Sequence, residues 1–166
     1  MPDTALTDYA LEKALWTDAD FEQMGWHDSN IHAIAFRLES FQLLFDIDYI
    51  FRWVDPAPNE MCYKFWLSPC TLMFKNVYQL RISLEPLEDV SIQDITRSAP
   101  EQIKELGTAY RYTVECNEGE ITFRATGYEQ FIRRLPTLVS SQRFTEEERG
   151  GFSFACITPD IIKRRS

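Results

Sequence analysis

The sequence is poor in the residues that build the commonest cofactor and metal sites. Glycine occurs six times in 166 residues. No P-loop, GxGxxG or GxSxG pattern is present, so neither a phosphate cradle nor a nucleophile elbow is spelled out. Histidine occurs only at His27 and His32, and the four cysteines (Cys62, Cys70, Cys116, Cys156) include no CxxC pair. That excludes the usual thiol-rich zinc sites, and no cofactor is expected. No apolar run approaches the roughly 18 residues of a membrane span. The first twenty residues carry acids in place of an apolar h-region, so no secretion signal and no membrane partner are expected. A cytoplasmic, reducing compartment with four free thiols follows. Cys116 and Cys156, set among apolar neighbours, are expected in the core.

Bases are scarce in one part of the chain. Residues 1–60 hold 12 acids against Lys13, Arg37 and Arg52, whereas residues 61–166 hold 14 of each sign. The formal net charge of −9 therefore arises in the first third. A polyanion would be repelled by that field, which argues against nucleic acid. A basic protein would be attracted, although acidity can also serve only to keep an apolar domain soluble.

Aromatic residues are abundant: 12 Phe, 7 Tyr and 4 Trp. Such a chain is not disordered, and its length suits a single domain over 1–166. Residues 4–16 suggest a short amphipathic N-terminal helix, within a helical segment 1–20. From Ile31 the period changes to two. In residues 41–54 every odd position is apolar (Phe41, Leu43, Phe45, Ile47, Tyr49, Phe51, Trp53), and the even ones include Gln42, Asp46, Asp48 and Arg52, which predicts a strand. Residues 31–39 alternate as well. A hairpin at Glu39-Ser40, with a loop wider than two residues, pairs Phe36 with Leu43, Ile34 with Phe45 and His32 with Ile47. A second hairpin turns at Glu118-Gly119 and sets Val114 opposite Phe123. Shorter strands are expected at 61–67, 71–76, 79–85, 90–95 and 152–157, with Ser68-Pro69-Cys70-Thr71 as a strand-breaking corner. Helical turns are expected at 98–107 and after Gly127, and a capped one at Thr145–Glu148 stopped by Gly150-Gly151. The fold class is mainly β, α+β at the margins: a curved antiparallel sheet or two-layer sandwich over residues 21–157, with a short N-terminal helix and a frayed tail at 158–166.

Polar residues gather near the first hairpin: His27, Asp28, His32, Asp46 and Asp48. Imidazole and carboxylate suit zinc, iron or manganese. The pairing places His32 on the apolar face with Ile47, and Asp46 and Asp48 on the reverse. Only His27 and Asp28 could then join Asp48, which defines an alternative reading as a metal-dependent hydrolase or metal-binding domain. In the structural alternative, His32 is a core residue bonded to backbone, Asp28 caps a turn, and both aspartates face water. Arg133 and Arg134, read as helical neighbours, diverge, one to solvent and one to a local partner. The adjacent Phe65 and Trp66 point opposite ways, so their strand is covered on both faces or exposes an apolar patch. Such a patch beside an acidic field is the anatomy of a protein-binding surface. The candidate binding residues are Trp26, His27, Asp28, Asp46, Asp48, Trp53 and Trp66, and no catalytic residue is named.

Segments 25–36, 43–54, 65–84, 119–136 and 148–154 resemble a family of small bacterial proteins of unknown function. The Trp26-His27-Asp28 opening before an alternating strand is also similar to immunity proteins of bacterial toxin systems. The first resemblance carries no activity. The second implies a cytoplasmic binding protein. The expectation is a non-enzymatic module that meets a protein partner, basic in character, through its N-terminal third. A homodimer joined through the aromatic patch is a third reading.

Overall fold

The computed structural model describes residues 9–160. Ten strands form two antiparallel sheets: β1 Leu15–Thr17, β2 Asn30–Arg37, β3 Gln42–Val54, β4 Lys64–Lys75, β5 Tyr78–Leu84, β6 Ile92–Ile103, β7 Gly107–Cys116, β8 Gly119–Ala125, β9 Gly127–Ile132 and β10 Thr137–Val139. The first sheet runs β1-β9-β4-β3-β2, with β10 also on β4; the second runs β5-β8-β7-β6. Among the described residues, helix is confined to a 3-10 turn at Asp18–Gln23 and to α1, Glu146–Arg149. No described helix is long and apolar enough to cross a membrane.

The alternation explains why the sheets meet. Leu43, Phe45, Ile47 and Tyr49 of β3 point into one apolar core with Leu72 and Phe74 of β4. Tyr112, Val114, Ile121 and Phe123 enter the same core from the second sheet. Aromatic edges lock it: Phe74 stands 4.6 Å from Phe123 and 5.0 Å from Tyr112, both in tilted or edge-on geometry that favours π contacts.

Several elements differ from the sequence reading. Leu15–Thr17 pair with Thr17↔Glu129 register on β9 instead of coiling, and the helical turn lies just downstream at Asp18–Gln23; residues 4–8 of the expected helix lie outside the described residues, as do 161–166 of the tail. β4 does not break at Pro69. The Pro69 carbonyl accepts Arg133 N on the side where β9 ends and β10 begins. The missing N–H faces that same gap and costs no ladder bond. The expected helical turn at 98–107 is the end of β6 and the start of β7, with Pro100 in a bulge of an edge strand. Residues after Gly127 form β9, a strand flanked by β1 and β4, so ladder pairing on both sides outweighs the helical pattern of the stretch. Phe152–Ile157 is irregular, not a strand. The second hairpin turns at Asn117-Glu118, so Val114 meets Ile121 and Tyr112 meets Phe123. The shift is by two residues, which keeps every side chain on its expected face.

The first hairpin keeps the expected register from Arg37↔Gln42 to Ala33↔Asp46, over a four-residue loop. Below that, β2 carries one extra residue, His32, and Ile31 takes the place opposite Ile47. The bulge turns His32 away from the apolar face. A second bulge, at Phe51 on β3, reverses the sides beyond it, so Trp53 pairs with Phe65. The capped turn appears as expected: Thr145 Oγ1 accepts Glu148 N, Glu148 accepts Thr145 N, and Gly150 adopts left-handed φ of 73°.

Candidate functional site

The reverse face of β3 is covered, not wet. Beyond β9 the chain adds β10 to the edge of β4 and then crosses behind the first sheet as α1 and the irregular stretch that follows. Ile50, Phe65, Leu67 and Phe144 form a small second cluster there, with Val139 packed on it. Asp46 and Asp48, two residues apart on one strand, point into this covered layer and are fully buried. The expectation that they face water is corrected.

Their charges are met by arginines from the far end of the sequence. Arg149, at the end of α1, grips Asp46 with both terminal nitrogens, at 2.6 Å to Oδ2 and 2.8 Å to Oδ1. It also reaches Asp48 Oδ1 at 3.1 Å and donates to the Gly151 carbonyl. Arg133 donates to Asp46 Oδ1 at 2.7 Å, to Thr71 Oγ1 and to the Ser153 carbonyl. Ser153 N donates to Asp46 Oδ2 and Phe144 N to Asp48 Oδ2, both at 2.8 Å. Two carboxylates and two guanidiniums sum to no net charge, which is how an ionic cluster tolerates a dry site. Burial acts to raise the Asp46 pKa, but the hydrogen bonds from Arg149 and then Arg133 prevail and hold it below the usual carboxylate range. Arg133 is therefore no surface residue. Arg134 is the more exposed of the two; it donates to the Glu148 carbonyl and lies over the Phe144 ring.

His32 completes the cluster. Its Nε2 is 2.6 Å from Asp48 Oδ2. It is bonded to a buried carboxylate, not to backbone as expected. His32 also lines a cleft of about 600 Å³ between β2, the 88–89 loop and residues 141–148. A histidine oriented by a buried carboxylate is one half of an acid–base machine. Among the described residues no hydroxyl or thiol hydrogen-bonds to it, so no nucleophile is paired with it. The cleft walls carry Glu88, Asp89, Glu146 and Glu148 against a single base, Arg143.

The other sequence candidates scatter. Exposed His27 contacts Asp28 at 3.2 Å, and Asp28 accepts from Gln142. Neither joins Asp48, whose oxygens are taken by Arg149, His32 and Phe144 N, and no metal-binding group of three His, Cys, Asp or Glu exists among the described residues. Trp26 is buried and donates to Gln130 Oε1 at 2.8 Å. Trp66 is buried 5.7 Å from the Tyr9 ring. Of the three candidate tryptophans only Trp53 is open, 47% exposed at the end of the β3–β4 hairpin and edge-on to Tyr63; Met61, in the loop beyond, is 96% exposed. All four cysteines are free; Cys70 is buried and Cys156, expected in the core, is exposed. Residues 88–89 and Arg149 were not singled out by sequence reasoning. The available signal was Leu44 and Ile50, apolar even positions beside Asp46 and Asp48 that imply a covered reverse face.

Comparison of the chain with protein-family models, with curated proteins and with solved structures finds no match.

Proposed function

We propose that this chain is a non-enzymatic protein-binding module, an immunity or inhibitor protein of the bacterial cytoplasm that meets a basic partner. The observation that carries the reading is the cleft, where Glu88 and Glu146 make no ion pair or hydrogen bond through their side chains among the described residues. The N-terminal third is a weaker interface than its charge suggests, because Asp20, Asp46 and Asp48 are buried and paired. The residues best suited to chemistry, Asp46 and Asp48, are consumed in holding the chain together. The exposed Trp53, Tyr63 and Met61 add the aromatic and thioether content enriched at interfaces. The shared core of the two sheets likewise supports reading them as the layers of a sandwich.

Two synthetic peptides of equal length, one rich in Lys and Arg and one rich in Glu, test the reading by fluorescence anisotropy against the full chain. At low salt the basic peptide binds and the acidic one does not. At about 1 M salt, where screening acts within ~3 Å, the basic peptide is released. Equal binding of both peptides, or of neither, refutes the reading.

A further inference from the structure

We propose that a second copy of this chain docks along the open edge of β5, so that the β5-β8-β7-β6 sheet continues into that of the copy through residues 81–85. β5 ends its sheet and has β8 on one side only. Past Leu84 the Glu85 N–H continues the ladder by donating to the Glu118 carbonyl. Backbone groups of an antiparallel strand alternate in direction. Arg81, Ser83 and Glu85 therefore turn theirs to β8, while Ile82 and Leu84 turn an N–H and a carbonyl each to the open side. Such a row of free groups is a template for another strand. The other edges are blunted: β1 is three residues long, β2 is met at its start by Val90 and Ser91, and β6 carries Pro100 in a bulge.

The order of the charges identifies the occupant. Arg81-Ile82-Ser83-Leu84-Glu85 complements its own reverse. Antiparallel pairing centred on Ser83 sets Arg81 against the copy's Glu85, and Glu85 against the copy's Arg81. Ile82 then faces the copy's Leu84, and the outward groups of both residues exchange N–H···O bonds. The contact is two-fold and isologous, so both ion pairs and both apolar pairs form at once. Arg81 and Glu85 are exposed, and neither side chain makes an ion pair or hydrogen bond among the described residues. Ile82 is 52% exposed although Ile121, its β8 partner, is buried; the copy's Leu84 falls beside Ile82 on the same face and covers it. A charge on an edge strand ordinarily repels a copy. Centred on Arg81, the pairing would indeed set that charge against itself. Centred on Leu84, it would set Ile82 against Pro86, which has no N–H to give. Only the register centred on Ser83 brings both ion pairs. Paired residues this few fall short of the ~20–30 a side of a standard interface, so the dimer is a weak one. The homodimer expected through the aromatic patch is thereby moved to a sheet edge.

Sedimentation equilibrium of the full chain at low salt, from about 10 μM to about 1 mM, tests the edge. A dimer is expected to grow in with concentration, and the Ile82 and Leu84 amides to gain protection from hydrogen exchange with it. Arg81→Glu and Glu85→Arg each set like charges across both pairs. Either change weakens the dimer by up to about twenty-five-fold, at up to about fivefold for each pair. Mixed in equal amounts, the two variants pair with each other and regain association, which two merely damaged chains do not. Ile82→Pro removes an outward donor without breaking a bond to β8, and abolishes the dimer; if that variant fails to fold, the charge swap still decides. A chain that stays monomeric to about 1 mM, or a mixture of the two variants that stays monomeric where the parent dimerises, would overturn the edge. So would a dimer indifferent to Arg81→Glu, which would instead point to the aromatic end at Trp53.

Discussion

Replacing Arg149 with Met is the sharpest probe of the buried cluster. Arg149 has 1% of its side chain exposed and makes two short bonds to Asp46, two longer ones to Asp48 and one to the Gly151 carbonyl. Methionine keeps much of the volume and none of the donors. The carboxylates are not stripped bare, because Asp46 retains Arg133 and Ser153 N, and Asp48 retains His32 and Phe144 N. Two buried carboxylates are nevertheless left with one guanidinium in a dry site. Breaking a buried pair in this way costs about 3–5 kcal/mol. Against a total of roughly 5–15 kcal/mol for a domain, that is a large fraction, measurable as a lower urea midpoint. Asp46→Asn removes the opposing charge, so Arg149→Met/Asp46→Asn should be milder than the sum of the single changes by about 0.5–3 kcal/mol. A single Arg149→Met variant within ~0.5 kcal/mol of the parent would refute the view that this cluster holds residues 133–155 against the sheet.

Three further outcomes follow from the same structure. Because the folded Asp46 carboxyl lies below its ordinary value, it takes its proton more readily when unfolded. Its stabilisation is complete above the unfolded value near ~3.9 and is lost as pH falls through the folded one; urea midpoints measured from neutral pH downward should drop in that acid window, and a flat profile there would count against the pairing. Gly119→Ala would drive a methyl group into the Ser83 carbonyl oxygen at a φ of +133°, so it should cost more than about 1 kcal/mol, read by thermal melting. The hydroxyl of Tyr128 is buried without a partner among the described residues, so Tyr128→Phe should be neutral or stabilising; a loss beyond ~1 kcal/mol would mean that it does have one.

The strands were legible where one face alone decides them. The odd positions of β3 and the Tyr112, Val114, Phe123 set of the second hairpin report their sides directly, because a two-residue period leaves no other way to bury them. Bulges were not legible. His32 and Phe51 each occupy an extra position that no alternation announces, and each reverses the side of what lies next to it. Nor was Pro69 legible as strand, since its acceptability depends on the gap between β9 and β10, strands far away in sequence. The candidate site was half visible. Asp46 and Asp48 were placed on a common face, but their arginine partners lie 87 to 103 residues away, beyond the reach of any local pattern.

The division of charge along the chain takes a different meaning once these contacts are known. Acids of the first third and bases of the last third form a neutral internal cluster in the fold, so the segregation seen in the sequence is in part an instruction for assembly. The segment that delivers Arg133 and Arg149 has few apolar anchors, chiefly Val139 and Phe144. Apolar contact alone tolerates sliding. A bidentate guanidinium–carboxylate pair does not, since a slip of one residue moves the fork by about 3.3 Å in extended chain, more than the bond itself. The cluster therefore contributes register more than adhesion. Register in turn fixes the cleft, because Phe144, which donates to Asp48 from the segment, and His32, which is bonded to the same oxygen from β2, both belong to its lining. One buried carboxylate thus sets the spacing of two opposing cleft walls, and the acidic rim outside inherits its geometry from the pair within.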